Sequence, residues 1–305
     1  MTGTPAYLKY GTLIKPNWYH FIFITYIAGV VLAGTLFSIY YGTHHYSVAM
    51  SAIKHTNATE YHRLALNAPI FVDRSNWINQ TFVKLAWFWN TLVVVAIAAT
   101  LKRTAGGLRG ERQRTKSFSD VDIVTRILAS KTFLRWAVAT LGWVLFAAWF
   151  FGPSVTQRVS IATGAQCVFN GDIVDAAQCH LGTNPVARWS GGHDVSGHTF
   201  ILALGILLIL EMLVPYLPYV LPSFSLVRQS IPLSIYADKD IFRTGSRRVR
   251  LANVAVFWGS TFILGLWGIM LTITAVYHHH PNEKLTGMLC ALLVWFFMPK
   301  EHALH

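Results

Sequence analysis

The sequence predicts an all-α polytopic membrane protein, six transmembrane helices with both termini cytosolic. Three observations predict it. Charged residues make up 12% of the 305 positions, roughly half the share in globular domains, while 53% are apolar and the mean hydropathy is +0.43. Uncharged apolar runs recur, each near the roughly 20 residues that cross a bilayer core. The basic residues, which give a net charge of +12, gather in alternate connecting segments. This composition is too hydrophobic for a disordered chain. No long run alternates with period two, which disfavours an outer-membrane barrel. A pI near 9.8 raises nucleic acid as a partner, and the placement of the charge turns that reading toward the membrane.

The spans follow in order within one membrane domain, 1–305. The first, 21–41, carries no charge. It starts too late and runs too long for a cleaved signal, so it reads as an anchor. The second, 81–101, has Lys84 at its start, and the third, 133–151, has Arg135 at its edge. The fourth, 199–220, is interrupted by Glu211, Pro215 and Pro218. The fifth, 253–277, is again uncharged, and the sixth, 285–298, is short. Trp18, Tyr19, Trp87, Trp89, Trp136 and Trp149 lie near the ends, where amphipathic rings favour the interface.

Six spans divide the connecting segments into two sets. The N-terminus, 102–132, 215–252 and the C-terminus, with Arg135, hold 18 of the 25 Lys and Arg residues. The segments 42–84, 152–198 and 278–284 hold the other 7. The positive-inside bias assigns the first set to the cytosol and the second to a lumen or the exterior. Asn57-Ala58-Thr59 is a glycosylation sequon in the second set. Asn79-Gln80-Thr81 is another, close against a span. Cys167 and Cys179 share the 152–198 lumenal loop and form a candidate disulfide. Cys290 lies within a span as a small hydrophobe. The basic 102–132 segment reads as a solvated loop near anionic headgroups, with Ser117 and Ser119 as candidate phosphorylation sites.

Ten of the 13 histidines fall on the lumenal side: His44, His45, His55, His62, His180, His193, His198, His278, His279 and His280. Two groups stand out. In Gly191-Gly192-His193-Asp194-Val195-Ser196-Gly197-His198, Ser196 can cap the fourth span. His198 then sits in its first turn, where the positive dipole end favours an anion. The glycines let the backbone approach a bulky oxyanion, and an imidazole there can protonate a leaving group. His278-His279-His280-Pro281-Asn282-Glu283 joins spans five and six. Either group also reads as interfacial side chains without chemistry, and the second as a zinc or copper ligand set, although one short turn poorly aims three rings at one ion. Both groups on one face suggest a nucleophile and a general acid.

Gly191–Phe200 followed by an apolar span bearing Glu211 resembles the signature of the fat storage-inducing transmembrane family. Tyr277-His278-His279-His280 with Lys284 and Gly287 resembles its second half. The resemblance implies an endoplasmic reticulum protein of lipid droplet and membrane-lipid homeostasis. Family members are described as acyl-CoA diphosphatases, which cleave fatty acyl-CoA to acyl 4′-phosphopantetheine and adenosine 3′,5′-bisphosphate. They are also described as binding diacylglycerol and triacylglycerol. The family is distantly similar to the lipid phosphate phosphatases. On that comparison, Ser196-Gly197-His198 matches their Ser-Gly-His, and His279 matches their nucleophilic His, with Glu283 at the spacing of the acid that orients it. Their Arg-Pro phosphate cradle is absent. The phosphate charge then falls to Arg158, Arg188, Lys284 and backbone N–H groups, or to a divalent cation.

The resulting expectation is a six-span enzyme with His279 as nucleophile or base and His198 as general acid. Ser196 and the glycines shape the anion pocket. Asp194 or Glu283 fixes an imidazole tautomer, and His193 supports. The alternative is a lipid-binding protein without chemistry, in which Glu211 and the proline-broken span matter more. The membrane-embedded Glu211 also raises a transporter, although no repeat symmetry accompanies it.

Overall fold

The computed structural model describes residues 18–43, 72, 76–112, 120–147, 154–169, 172–180, 187–216 and 246–300. The first apolar run forms α1, Trp18–Tyr41. A π-helical turn, Asn79–Val83, leads into α2, Ala86–Arg112. The third run forms α3, Asp120–Ala147. Next come the short α4, Val155–Ala162, three strands, and the short α5, Ala176–His180. The core helix α6 spans Gly197–Leu213, closed by a 3₁₀ turn at Val214–Tyr216. Helices α7, Arg247–Tyr277, and α8, Pro281–Phe296, complete the bundle. Tyr19–Tyr41 and Arg247–Tyr277 are long and apolar enough to cross a membrane, at mean hydropathies of 2.2 and 1.9.

Helix α6 is apolar all round, and such a helix has to be enclosed. It packs against α8, α7, α2 and α3, while α1 packs on α7 and α8. Leu202, Leu204, Leu207 and Leu208 have no exposure at all. The outer helices turn large apolar side chains outward instead, among them Phe21 and Leu36 of α1 and Trp258, Phe262 and Ile269 of α7. One buried polar cluster centres on Glu211. Glu211 Oε1 accepts a hydrogen bond from Trp295 Nε1 at 3.0 Å. The same oxygen lies 3.2 Å from His20 Nε2 and 3.5 Å from Lys300 Nζ. Arg135 Nε donates to Pro299 O at 2.8 Å. Thus α1, α3, α6, α8 and the segment after α8 are joined at one end of the core.

Two expectations are corrected. The fold is mostly helical rather than all-α. The 152–198 segment carries an antiparallel sheet of order β2-β1-β3, with β1 Gln166–Phe169, β2 Asp172–Ile173 and β3 Arg188–Ser190. Strands of two to four residues are too short to display a period. The Cys167–Cys179 disulfide anchors β1 to α5. The 102–132 segment is also more ordered than a loop, being helical through Arg112 and again from Asp120. It contains no proline, and its Leu, Arg, Lys and Glu are good helix formers. His44, His45, His55, His62, the Asn57 sequon, Ser117, Ser119 and Pro218 lie outside the described residues. Asn79 is buried in the π-helical turn.

Candidate functional site

Two helix starts meet at the end of the core opposite Glu211. The first is that of α6. Ser196 is its N-cap, and its Oγ accepts from Thr199 N at 3.3 Å while contacting Thr199 Oγ at 2.9 Å. The second is that of α8, which begins with Pro281 after the N-cap His280. Proline suits a first helical position because its missing N–H has no partner there anyway. Glu283 in that first turn accepts from the His280 N–H at 2.9 Å, half of a capping box.

The two starts are locked backbone to backbone. Ser196 N donates to Glu283 O at 3.1 Å. Gly287 lies so close that a Cβ there would come within 2.6 Å of Ser196 O, so only glycine permits this approach. Both positive dipole ends therefore face one region, which favours an anion. His198 sits half-buried in the first turn of α6.

His279 lies between α7 and α8 with φ +61°, in the left-handed region. That backbone turns its ring toward two acids. Nδ1 is 3.2 Å from Glu283 Oε2 and 3.9 Å from Asp194 Oδ2. Burial alone would raise the Glu283 pKa. The hydrogen bonds from the His279 ring and the His280 N–H, with the charges of both histidines, outweigh it and hold the carboxyl below its ordinary range. The ionised carboxylate accepts, so Nδ1 carries a proton, and in the neutral form of the ring Nε2 keeps its lone pair. An acid fixing one nitrogen so that the other can react is the arrangement of nucleophilic histidine chemistry. His278 is buried and His280 exposed, so the three neighbouring rings do not share one face.

The loop before α6 is held from a third direction. Gly191 and Gly192 adopt φ of +82° and +67°. A Cβ on Gly192 would come within 2.2 Å of Ser160 O. Ser160 Oγ donates to Gly191 O at 3.3 Å, and His193 N donates to Thr163 Oγ at 2.6 Å. The His193 ring reaches across to α8, where Nε2 lies 2.9 Å from Thr286 Oγ.

Two of the remaining sequence candidates, Lys284 and Glu211, are held elsewhere. Lys284 is fully buried and donates to Ala275 O at 2.7 Å, closing the last turn of α7. Burial lowers its pKa to about 8 against the opposing charge of Glu283. Arg158 is exposed on α4, and the side chain of Arg188 lies outside the described residues. Glu211 stands wholly buried at the other end of α6. Thr163 and Thr286 had no signal in the sequence, because their partner His193 is 30 and 93 positions away.

Comparison with known proteins gives a consistent picture. The profile of the family described as "Fat storage-inducing transmembrane protein" matches residues 67–298. The acyl-coenzyme A diphosphatase fit1 of Schizosaccharomyces pombe is 30% identical, over 74% of this chain and 70% of its own. Acyl-coenzyme A diphosphatase FITM2 of Caenorhabditis elegans is 26% identical, over 77% and 70%. The human FITM2 of the same description is 25% identical, over 73% and 69%. No solved structure matches the chain.

Proposed function

The chain belongs to the fat storage-inducing transmembrane family, and from that premise we propose that it is an acyl-coenzyme A diphosphatase of the endoplasmic reticulum membrane. In this reading six helices span the bilayer, both termini are cytosolic, and the paired helix starts face the lumen. The acyl chain lies among the helices, and the pyrophosphate meets the histidines. The names of relatives at 23–30% identity support the activity, and the basic residues in alternate segments support the orientation.

His279 Nε2 either attacks one phosphorus of the pyrophosphate, forming a phosphohistidine that water then hydrolyses, or takes a proton from the water that attacks that phosphorus. His198 gives a proton to the phosphate oxygen that leaves. The products are acyl 4′-phosphopantetheine and adenosine 3′,5′-bisphosphate. Glu283, with Asp194 beside it, keeps the His279 tautomer and stabilises the imidazolium that forms. The convergent helix starts and Ser196 shape the phosphate site. Arg158 and Arg188 remain candidate cations for it, with a divalent cation as the other source of positive charge. The observation that carries the reading is the His279 ring, fixed by Glu283 where two helix N-termini meet.

The test is purified protein incubated with oleoyl-CoA, its products identified by mass spectrometry. Wild type is expected to release both products, and His198→Ala and His279→Ala to release neither while expressing as wild type does. Full activity in both variants refutes the assignment. Diacylglycerol or triacylglycerol binding that persists in both, with no cleavage by wild type, would instead support the partitioning protein.

A further inference from the structure

We propose that His193 is a positioning residue, a crosspiece that sets the start of α8, which follows His279, against the loop that leads into the α6 turn bearing His198. The proposal rests on the reading of the site given above. The hydrogen-bond inventory fixes the state of its ring. Thr286 has one hydroxyl proton, and its Oγ lies 2.8 Å from Asn282 O and 3.1 Å from Glu283 O. A threonine inside a helix donates in this way to the carbonyl a turn behind it. The oxygen that remains can only accept. His193 Nε2, 2.9 Å away, is therefore the donor, and the ring carries a proton there.

The other attachment of His193 is through its backbone. Its N–H donates to Thr163 Oγ at 2.6 Å, and Thr163 Oγ in turn lies 2.8 Å from Val159 O and 3.0 Å from Ser160 O. Gly191 is fastened to the same helix end through Ser160 Oγ at 3.3 Å. One residue therefore joins α4 to α8. Thr286 is on the turn that follows Glu283, and the carbonyl of Glu283 both receives the Ser196 N–H and lies beside Thr286 Oγ. Displacement of Thr286 would move the carboxylate that orients His279 and the backbone bond that sets α6 against α8. A misplacement of 1 Å in such a frame costs up to about 100-fold in rate.

The two amide side chains separate this role from bulk. In length, a glutamine at 193 places its donating nitrogen near the Nε2 position, and an asparagine places its nitrogen near Nδ1. His193→Gln is expected to keep most of the wild-type kcat for oleoyl-CoA cleavage. His193→Asn, His193→Ala and Thr286→Val are each expected to lose about tenfold or more, with KM little changed. The double variant His193→Ala/Thr286→Val is expected to be no slower than the worse single one, because both remove the same bond. Amide hydrogen exchange over residues 190–196 is expected to quicken in the Ala, Asn and Val variants and to stay slow in the Gln variant. Equal kcat in the Gln, Asn and Ala variants, additive losses in the double variant, or unchanged exchange overturns the crosspiece. Absence of cleavage by wild type refutes the diphosphatase reading instead, and the exchange measurement then decides the crosspiece without it.

Discussion

Removing the carboxylate of Glu211 should destabilise the bundle without touching its chemistry. The side chain is fully buried. One oxygen accepts from Trp295 Nε1 at 3.0 Å and faces His20 at 3.2 Å and Lys300 at 3.5 Å. Glu211→Ala leaves an indole N–H without its acceptor and two basic groups without their carboxylate. Breaking a buried pair from one side costs about 3–5 kcal/mol. Glu211→Gln keeps an acceptor for Trp295 and loses only the charge, so its cost is nearer the roughly 1–3 kcal/mol of one unsatisfied buried group. At about 2 °C per kcal/mol for a chain of this size, the alanine variant should melt roughly 6–10 °C below wild type at a fixed scan rate. The glutamine variant should fall between them. The histidines lie about 20 Å away, one α6 length at 1.5 Å per residue. The kcat of the protein that remains folded should therefore match wild type. A Glu211→Ala variant that melts within about 1 °C of wild type would refute the energetic reasoning. One that melts normally but no longer cleaves acyl-CoA would refute the separation of the two ends.

Three further outcomes are expected. Gly192→Ala places a Cβ against Ser160 O at 2.2 Å on a backbone of φ +67°, so cleavage should drop at least tenfold. Wild-type cleavage by this variant would show that the loop does not hold the site. Cys167 pairs across the sheet with Trp189, one residue before Ser190 and the glycines, so Cys167→Ser with Cys179→Ser should lower both melting temperature and cleavage. An unchanged melting curve after reduction of the wild type would count against that. Lys284 has a folded pKa near 8, below its ordinary 10.5, so the unfolded chain binds more protons between those values. Stability against urea should therefore rise from pH 8 toward pH 10, and that rise should shrink in Lys284→Met.

The parts of the fold legible in the sequence were those governed by long, uniform physics. An uncharged run such as 253–277 has one low-energy outcome in lipid, and it lies inside α7. The two histidine groups were legible because cap, glycine and imidazole fall within a few positions of one another. Glu283 was legible for the same reason, four residues from His279. Contacts between distant segments were not. Lys284 looked like a free cation, yet its carbonyl partner Ala275 lies on the preceding helix. The sheet was missed because Gln166–Phe169 is held by a disulfide and by partners from 172–190, not by its own pattern. Glu211 drew attention as an isolated acid in a span, and its companions His20 and Lys300 come from opposite ends of the chain.

The left-handed turn at His279 restricts which residues that position can accept. An ordinary L side chain in this conformation costs roughly 1–2 kcal/mol, and glycine, asparagine, aspartate and histidine visit it most readily. Alanine at 279 therefore removes the imidazole and also pulls the backbone toward another basin, loosening the junction of α7 and α8. Asparagine removes the imidazole but leaves the backbone where it is. It tolerates the turn, and its amide can donate to Glu283 where Nδ1 does now. The substitutions that this turn admits without refolding its surroundings are few. Of these residues, histidine alone brings a second ring nitrogen, with a free lone pair, to where the two helices begin.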